Sequence, residues 1–475
     1  MKSLKKNIMY NTIYQFLILF LPFITSPYLA RIIGPDGVGV YSYSHSVAQY
    51  FVYAAMLGLQ NYGNRSIASF CDNRAEKSKV FSEIYCMQIT TALLSTIVYI
   101  VYSFFAKDVT AALIMTMYVA STLFDINWLF FGTENFKITV TRNTVIKLSC
   151  MACIFLFVKD RSDTYIYVAI MAASNFVSQI ILWPFVKREV NLSMPKWPDV
   201  KKHYKPNLML FIPVIAISIY KIMDKIMLGQ MTTMAEVGYY EYAERIYNIP
   251  LLLITAIGTV MLPRMTYYYS NKQTNEAQKY FMKSMEMVLA FANAAMFGII
   301  AIADDFVTAY YGTGFVESGK ILRYLSTTIV FLAAGNVLRT QLIIPQKKDK
   351  IYIRSAIYGA IVNFAINILL IPSFRTTGAA IGTISAEAIV FLYQVMAIRK
   401  EIPLKKFVTT QILYFIAGVV MCFLVSMIRT ETIIFSLVLK VGIGGLVYFI
   451  EFIFIFYIKN KQNPIKLLIN SRVNQ

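Results

Sequence analysis

The chain has 475 residues, of which 57% are hydrophobic and only 15% are charged. A water-soluble protein of this size needs a more polar surface, so the composition excludes a soluble globular protein and predicts that lipid surrounds most of the chain. A net charge of +20 would suit a nucleic-acid-binding protein, but the positions of the basic residues, given below, exclude that class. Five cysteines without a regular spacing and only two histidines predict neither a metal site nor a cofactor.

Apolar segments long enough to cross a bilayer recur along the whole chain. We predict about fourteen helical spans, each near the roughly 20 residues that a membrane helix needs. Their approximate limits are residues 9–30, 38–58, 80–105, 109–131, 140–158, 164–186, 206–229, 236–262, 281–303, 320–344, 351–371, 377–398, 407–428 and 432–458. Lys and Arg at the two ends and after even-numbered spans outnumber those after odd-numbered spans by roughly four to one. Because basic loops stay in the cytoplasm, the predicted fold class is an all-α polytopic membrane protein with both termini cytoplasmic.

A repeated motif predicts that the chain is built from two similar halves. Residues 27–50 recur in altered form at residues 222–248, where VGVYSY at 38–43 aligns with VGYYEY at 237–242. Repeats of this length are typical of transporters, whose substrate site lies where the repeats meet. We therefore predict a six-helix lobe at 1–190, a cytoplasmic linker at 191–205, a second six-helix lobe at 206–400, and two additional helices with a tail at 401–475.

Six charged residues are concentrated on predicted spans seven and eight. Helical spacing places Lys221, Asp224 and Lys225 on one face of span seven, and span eight carries Glu241, Glu244 and Arg245 in the same spacing. In the first repeat, Arg31 lies near the position that corresponds to Lys225. Each ionised side chain at the bilayer centre costs roughly 2.5–3.5 kcal/mol, so these groups either pair with one another between helices or line a water-filled cavity for an anionic substrate. The number of charges favours the cavity.

Two further carboxylates lie inside predicted spans. Asp125 in span four and Glu387 in span twelve are candidates for coupling transport to a proton or ion gradient, because a desolvated acid can bind and release protons. Hydrogen bonding between helices would explain each of them equally well. The sequence also lacks the G-x-x-x-x-G-K-[ST] motif of ATP-driven pumps.

The two motif regions resemble the Wzx-type polysaccharide flippases. The segments that carry the resemblance are PYLARIIGPDGVGVYSYSHSVAQYF at the start of the first half, and DKIMLGQMTTMAEVGYYEYAERI and TVMLPRM in the second. These flippases belong to the multidrug/oligosaccharidyl-lipid/polysaccharide exporter superfamily, together with the lipid II flippase MurJ and the MATE drug exporters. The resemblance implies a two-lobed, V-shaped helical bundle in the bacterial cytoplasmic membrane. It also implies alternating access and an undecaprenyl-diphosphate-linked oligosaccharide as substrate.

A diphosphate requires paired cations, and Arg31, Lys221, Lys225 and Arg245 are the candidates. Asp224, Glu241 and Glu244 would then hold these cations in place or carry protons. Partners of such a protein would be membrane lipid and the polysaccharide polymerase and chain-length machinery.

Other functions stay open at this point. A drug:cation antiporter would favour a cavity dominated by acids, and a lipid II or teichoic-acid precursor flippase would share the fold. A membrane-embedded polymerase would need a large external loop, whereas the longest predicted external gap is only residues 304–320. The sequence therefore favours a transporter over an enzyme.

Overall fold

The computed structural model describes residues 21–70 and 72–460, apart from the side chains of residues 213, 216, 217, 220, 221, 459 and 460. The beginning of the first predicted span, Cys71, the C-terminal tail and the side chain of Lys221 therefore lie outside the described part. Within it, no residue forms a β-strand, as the all-α prediction requires. The α-helices are α1 (residues 21–32, the described portion), α2 (Gly34–Met56), α3 (Leu59–Ala68), α4 (Arg74–Ser103), α5 (Val109–Ala120), α6 (Asn127–Gly132), α7 (Phe136–Phe157), α8 (Thr164–Ile180), α9 (Trp183–Glu189), α10 (Trp197–Lys201), α11 (Tyr204–Met231), α12 (Met234–Ser270), α13 (Thr274–Tyr311), α14 (Val316–Ser326), α15 (Thr328–Leu338), α16 (Asp349–Ile398), α17 (Leu404–Ser426) and α18 (Ile433–Asn460).

Ten helical segments of the described residues are long and apolar enough to cross a membrane. They cover predicted spans three to six and eight to fourteen, since α16 contains two spans that are separated by a non-helical residue, Arg375, with φ 49° and ψ −128°. Predicted spans two and seven coincide with α2 and α11, and the end of span one with α1. The helical positions are thus as expected, while the count of fourteen crossings and the side of the termini stay predictions.

The chain divides by packing into two compact units, Met1–Gly238 and Tyr239–Gln475. In the first unit α2 packs on α4, α5 and α11, and α8 packs on α5 and α7. A core tryptophan, Trp128, is fully buried against Phe81, with ring centroids 5.2 Å apart, and its indole Nε1 donates to Gln88 Oε1 at 3.0 Å. The indole therefore has the hydrogen-bond partner that a buried Trp needs.

The second unit is organised around α13, which packs on α14, α15, α17 and α18. The helix ends at Gly312, whose φ of 95° is readily adopted only by glycine. A π-helical segment, Arg339–Ile343, follows α15, and such segments occur frequently at functional sites.

The helix α11 belongs to the first unit by packing, since it contacts α2 and α3. The repeat, in contrast, places the start of the second lobe at residue 206. The two criteria describe different properties of the chain, so the predicted lobe boundaries stay predictions from the repeat.

The two copies of the repeated motif meet inside the first unit, at the first turns of α2 and α12. A Cβ atom added to Gly39 would lie 1.7 Å from the carbonyl oxygen of Met234, and one added to Gly238 would lie 2.1 Å from that of Pro35. Gly39 and Gly238 are equivalent in the repeat, and so are Pro35 and Met234. The contact is therefore symmetric in the repeat, and it requires glycine in both copies because backbone faces backbone.

Candidate substrate site

The charged residues predicted on span seven lie on α11, in the part of the first unit that packs against α2. Asp224 is only 3% exposed, whereas Lys225 is half-buried. The hydroxyl of Tyr50 on α2 donates to the carbonyl oxygen of Ser218 at 3.2 Å, and the Asp224 carboxylate is near enough to interact electrostatically with that hydroxyl. A buried carboxylate inside an apolar helix thus faces polar groups of a neighbouring helix.

A lysine that the sequence analysis did not single out holds the C-terminal end of α11. Lys107 Nζ donates to the carbonyl oxygens of Gly229 at 2.6 Å and Thr232 at 2.9 Å. A cation at this position satisfies carbonyl groups that have no partner within the helix and interacts favourably with the helix dipole. Near the same end, the amide of Gln230 donates to the hydroxyl of Tyr43. The C-terminal end of α11 is therefore firmly attached to the first unit.

The predicted cation of the first repeat, Arg31, lies on α1 and is exposed. Its Nη1 donates to the carbonyl oxygen of Pro27 at 3.1 Å.

In the second unit, Glu241 and Arg245 form a salt bridge within α12, with 2.8 Å between Oε1 and Nε. The Arg245 guanidinium also lies 5.1 Å from the ring centroid of Tyr242, which itself stacks on Tyr311 at 4.4 Å. Glu244, on the same helix, is half-buried. The salt bridge of Glu241 and Arg245 forms within one helix, whereas the salt bridges considered from the sequence joined different helices. The rings of Tyr242 and Tyr311 fix the position of the guanidinium.

Asp125 lies between a 3₁₀ turn and α6, where it organises a polar network of the first unit. Its Oδ1 accepts from the backbone N–H of Asn127 at 3.0 Å and from the side-chain amide of the same residue at 2.6 Å. Asn127 Oδ1 in turn accepts from Nη2 of Arg142 at 2.9 Å, and Asn127 Nδ2 donates to Gln179 Oε1 at 3.0 Å. The carboxylate of Asp125 is thus linked to a buried guanidinium through a single amide side chain.

Glu387 lies in the second half of α16 and is 8% exposed. One turn before it, Thr383 shares a hydrogen bond of 2.8 Å with the hydroxyl of Tyr240. Elsewhere in the same unit, both side-chain atoms of Gln341, in the π-helical segment, have no hydrogen-bond partner among the described residues although Gln341 is fully buried. The second unit therefore contains a polar interior.

A polar cavity of about 410 Å³ lies in the first unit between α1, α3, α6, α7 and α8. Two cations of α7, Arg142 and Lys147, line it together with amide and hydroxyl side chains. Sequence reasoning missed both cations, although they lie in predicted span five and the criterion applied to Asp125 would have found them. Basic residues of one helix are thereby brought to the same cavity.

A second cavity, of about 520 Å³, lies in the second unit between α13, α17 and α18. Its lining is almost entirely apolar, with Phe291, Val441 and Phe449 among its residues. Lys440 also lines it and forms a salt bridge with Asp305 at 2.6 Å. The cavity has the chemistry of a binding site for a hydrocarbon chain.

A family model described as "Polysaccharide biosynthesis protein" matches residues 4–268, more than half of the chain. The chain belongs to this family. Among the curated proteins, the "Putative O-antigen transporter" of Escherichia coli strain K12 is 24% identical over 411 residues, which cover 84% of this chain and 97% of that protein. The "Probable low-salt glycan biosynthesis flippase Agl15" of Haloferax volcanii is 21% identical over 251 residues, about half of each chain.

The solved structures give the fold. The lipid II flippase MurJ in an inward closed conformation superimposes with a TM-score of 0.78, covering 96% of this chain and all of that one at 16% identity. A multidrug MATE transporter in an inward-facing conformation gives a TM-score of 0.55 at 13% identity. Together with the ten apolar helices, the comparisons confirm the polysaccharide-flippase resemblance, the all-helical fold and a multi-pass protein of the cell membrane. These matched relatives carry the names of a transporter and a flippase, not of enzymes.

Proposed function

We propose that this protein is a flippase that moves undecaprenyl-diphosphate-linked oligosaccharide units from the inner to the outer leaflet for capsule, O-antigen or exopolysaccharide synthesis. The observation that carries the proposal is the similarity to an O-antigen transporter over nearly the whole of both chains, within a polysaccharide biosynthesis family. Charged residues on helices of the membrane-spanning type support it, because a hydrophilic head group needs polar surroundings to cross the bilayer.

The cations Arg31, Lys221, Lys225 and Arg245 are the proposed ligands of the diphosphate. Each offers several N–H donors, and a diphosphate takes up paired cations. The polyprenyl chain is proposed to lie in the apolar cavity between α13, α17 and α18, whose lining of aliphatic and aromatic side chains suits a hydrocarbon. The head group would thus move past polar surfaces while the lipid chain stays in apolar surroundings.

Transport is proposed to proceed by alternating access, with Asp224, Glu241 and Glu244 holding the cations in place or carrying protons. Asp125 and Glu387 are the proposed coupling groups. We expect Asp125→Asn or Glu387→Gln to change the dependence of flux on pH or on the external cation. An unchanged dependence would assign both carboxylates to hydrogen bonding between helices. The polymerase and the chain-length machinery of the same pathway are the proposed protein partners.

The alternatives are weaker. A drug:cation antiporter would require a cavity dominated by acids, whereas α11 and α12 carry Lys221, Lys225 and Arg245 beside their acids. A lipid II or teichoic-acid precursor flippase would share the fold, and the O-antigen relative favours an oligosaccharide repeat unit instead.

Depletion of the protein tests the function directly. Lipid-linked oligosaccharide should accumulate in the inner leaflet, with polymer lost from the surface; accumulation of single units in the outer leaflet would contradict the proposal. Lys221→Gln combined with Lys225→Gln should abolish export while membrane insertion is retained. The matched control is the double variant of two exposed lysines, Lys201→Gln and Lys205→Gln, which should export normally.

A further inference from the structure

The polar cavity of the first unit contains a cation, Lys147, that no side chain among the described residues neutralises. Lys147, half-buried on α7, makes no hydrogen bond and no salt bridge within the described residues. Residues 1–20, 71 and 461–475 contain no Asp or Glu, nor do the seven positions whose side chains are undescribed. No acidic side chain of the chain is therefore left to pair with this lysine, although a charge inside an apolar span is costly.

The neighbouring guanidinium is in a different situation. Arg142 is 7% exposed and donates from Nη1 to the carbonyl oxygen of Ser178 at 3.0 Å, from Nη2 to Asn127 Oδ1 at 2.9 Å and from Nε to Asn143 Oδ1 at 3.0 Å. Through Asn127 it is also linked to the carboxylate of Asp125. Arg142 therefore orients the amides around it, while the positive charge of Lys147 stays available to a ligand.

The remaining lining shows what kind of ligand the cavity suits. Amide and hydroxyl groups contribute both donors and acceptors, and apolar side chains make up the rest; among these residues are Thr25, Asn143, Ser174, Asn175, Ile154 and Met171. Sugars present hydroxyl groups at their edges and C–H groups on their faces, so this mixture suits a sugar. The volume of about 410 Å³ lies within the roughly 300–1,000 Å³ of small-molecule sites.

We propose that this cavity is a recognition subsite for an acidic sugar of the transported oligosaccharide, with its carboxylate bound by Lys147. The class of ligand follows from the charge: one uncommitted cation matches one monoanionic group, whereas a diphosphate would require more than one. The residues that line the subsite come from α1, α3, α6, α7 and α8, and none of the four cations proposed to bind the diphosphate is among them. The identity of the ligand as a part of the substrate depends on the proposed flippase function.

Cys150 lines the same cavity and gives a direct measurement. The rate at which N-ethylmaleimide alkylates Cys150 in the purified full-length protein is followed by mass spectrometry, with Cys422 in the second unit as internal reference. Glucuronate, glucose and inorganic pyrophosphate are the probes. We expect glucuronate to slow alkylation of Cys150 but not of Cys422. Glucose should protect Cys150 only at a concentration about tenfold or more above that of glucuronate, since it lacks the carboxylate that makes a charge-assisted hydrogen bond.

Variants locate the effect. Lys147→Met should raise the concentration of glucuronate needed to protect Cys150 about tenfold or more, and Lys147→Arg should retain protection. Lys137 is an exposed lysine of the same helix, so Lys137→Met should behave as wild type. If Lys147→Met does not yield folded protein, Lys147→Gln removes the same charge and should weaken glucuronate protection in the same way. Glucuronate protection that is equal in wild type and Lys147→Met would overturn the proposal, and so would protection by pyrophosphate alone, which would identify a diphosphate site.

The outcome is independent of the flippase assay. A wild-type protein that fails to translocate lipid-linked oligosaccharide but shows Lys147-dependent protection contradicts the proposed function and leaves the subsite supported. A protein that translocates without such protection contradicts the subsite alone.

Discussion

The contact between the two copies of the repeated motif predicts a specific packing defect. In Gly39→Ala the new Cβ would lie 1.7 Å from the carbonyl oxygen of Met234, so the first turns of α2 and α12 must separate by roughly 1.3 Å to reach 3.0 Å, below which Cβ contacts are essentially not found. In Gly238→Ala the distance to the oxygen of Pro35 is 2.1 Å, and the separation needed is roughly 0.9 Å. Both contacted atoms are backbone, so no side chain can rotate away.

Overpacking of this kind costs about 1–3 kcal/mol. Any equilibrium between states that keep and that lose this contact would therefore shift by about 5- to 150-fold. Gly39→Ala should have the larger effect because its contact is shorter. The double variant should cost less than the sum of the single variants, because the separation forced by one Cβ also makes room for the other.

Thermal stability of the purified protein and export of polymer in cells are the two measurements. The matched control is Gly298→Ala on α13, where an added Cβ meets nothing within 4 Å. Alanine is preferred over glycine inside helices, so this control should be neutral or slightly stabilising. If Gly39→Ala unfolds at the same temperature and exports as well as Gly298→Ala, the close backbone contact does not exist in the membrane protein.

Three further outcomes follow from individual contacts. His203→Ala should lower the free energy of unfolding by about 3 kcal/mol, because it removes a partner at 2.9 Å from the buried carboxylate of Glu83. Lys202→Ala, at an exposed lysine that contacts the same carboxylate, should cost about 1 kcal/mol or less. Thermal unfolding in detergent distinguishes the two variants, and equal losses would contradict the argument. Lys107→Met should increase amide hydrogen exchange at residues 228–232, because the end of α11 loses about 1–2 kcal/mol of local stability. Exchange in α13 should stay unchanged. Equal protection of residues 228–232 in wild type and Lys107→Met would mean that the lysine does not hold this end. Gln341→Met should raise the unfolding temperature, since it removes two buried polar atoms that have no hydrogen-bond partner among the described residues. Reduced transport by the same variant would show that the amide serves function. A lower unfolding temperature would show that the amide is hydrogen-bonded in the protein.

The sequence was sufficient for the parts of the structure that depend on local pattern. Apolar length predicts where the helices lie, and helical spacing places Glu241 and Arg245 on one face of their helix. The salt bridge between these two residues within that helix was not predicted. The equivalence of Gly39 and Gly238 is visible in the repeat, but the repeat alone does not tell that the two glycines face each other's neighbours. That fact depends on how α2 and α12 approach, which is a tertiary property.

The polar network of the first unit was beyond sequence reasoning for the same physical reason. Arg142 and Gln179 come from other helices, and only folding places them around Asn127, which lies two residues after Asp125. The density of charges along the chain favours α11 and α12 as the site of function. Arg142 and Lys147 of α7, which are more widely spaced along the chain, were missed for that reason.

Charge compensation shows why the isolated cation is the more informative one. Burying charge in an apolar span is expensive, and a pair such as Glu241 and Arg245 recovers part of that cost within its own helix. Arg142 recovers it through carbonyl and amide oxygens and through its link to Asp125. Each of these charges therefore has a structural explanation as well as a functional one. Lys147 has no such compensation within the described residues, and an anion in the cavity that it lines would offset its cost. For the same reason we expect Lys147→Met to stabilise the ligand-free protein, and a loss of stability in that variant would assign the lysine to the structure rather than to recognition.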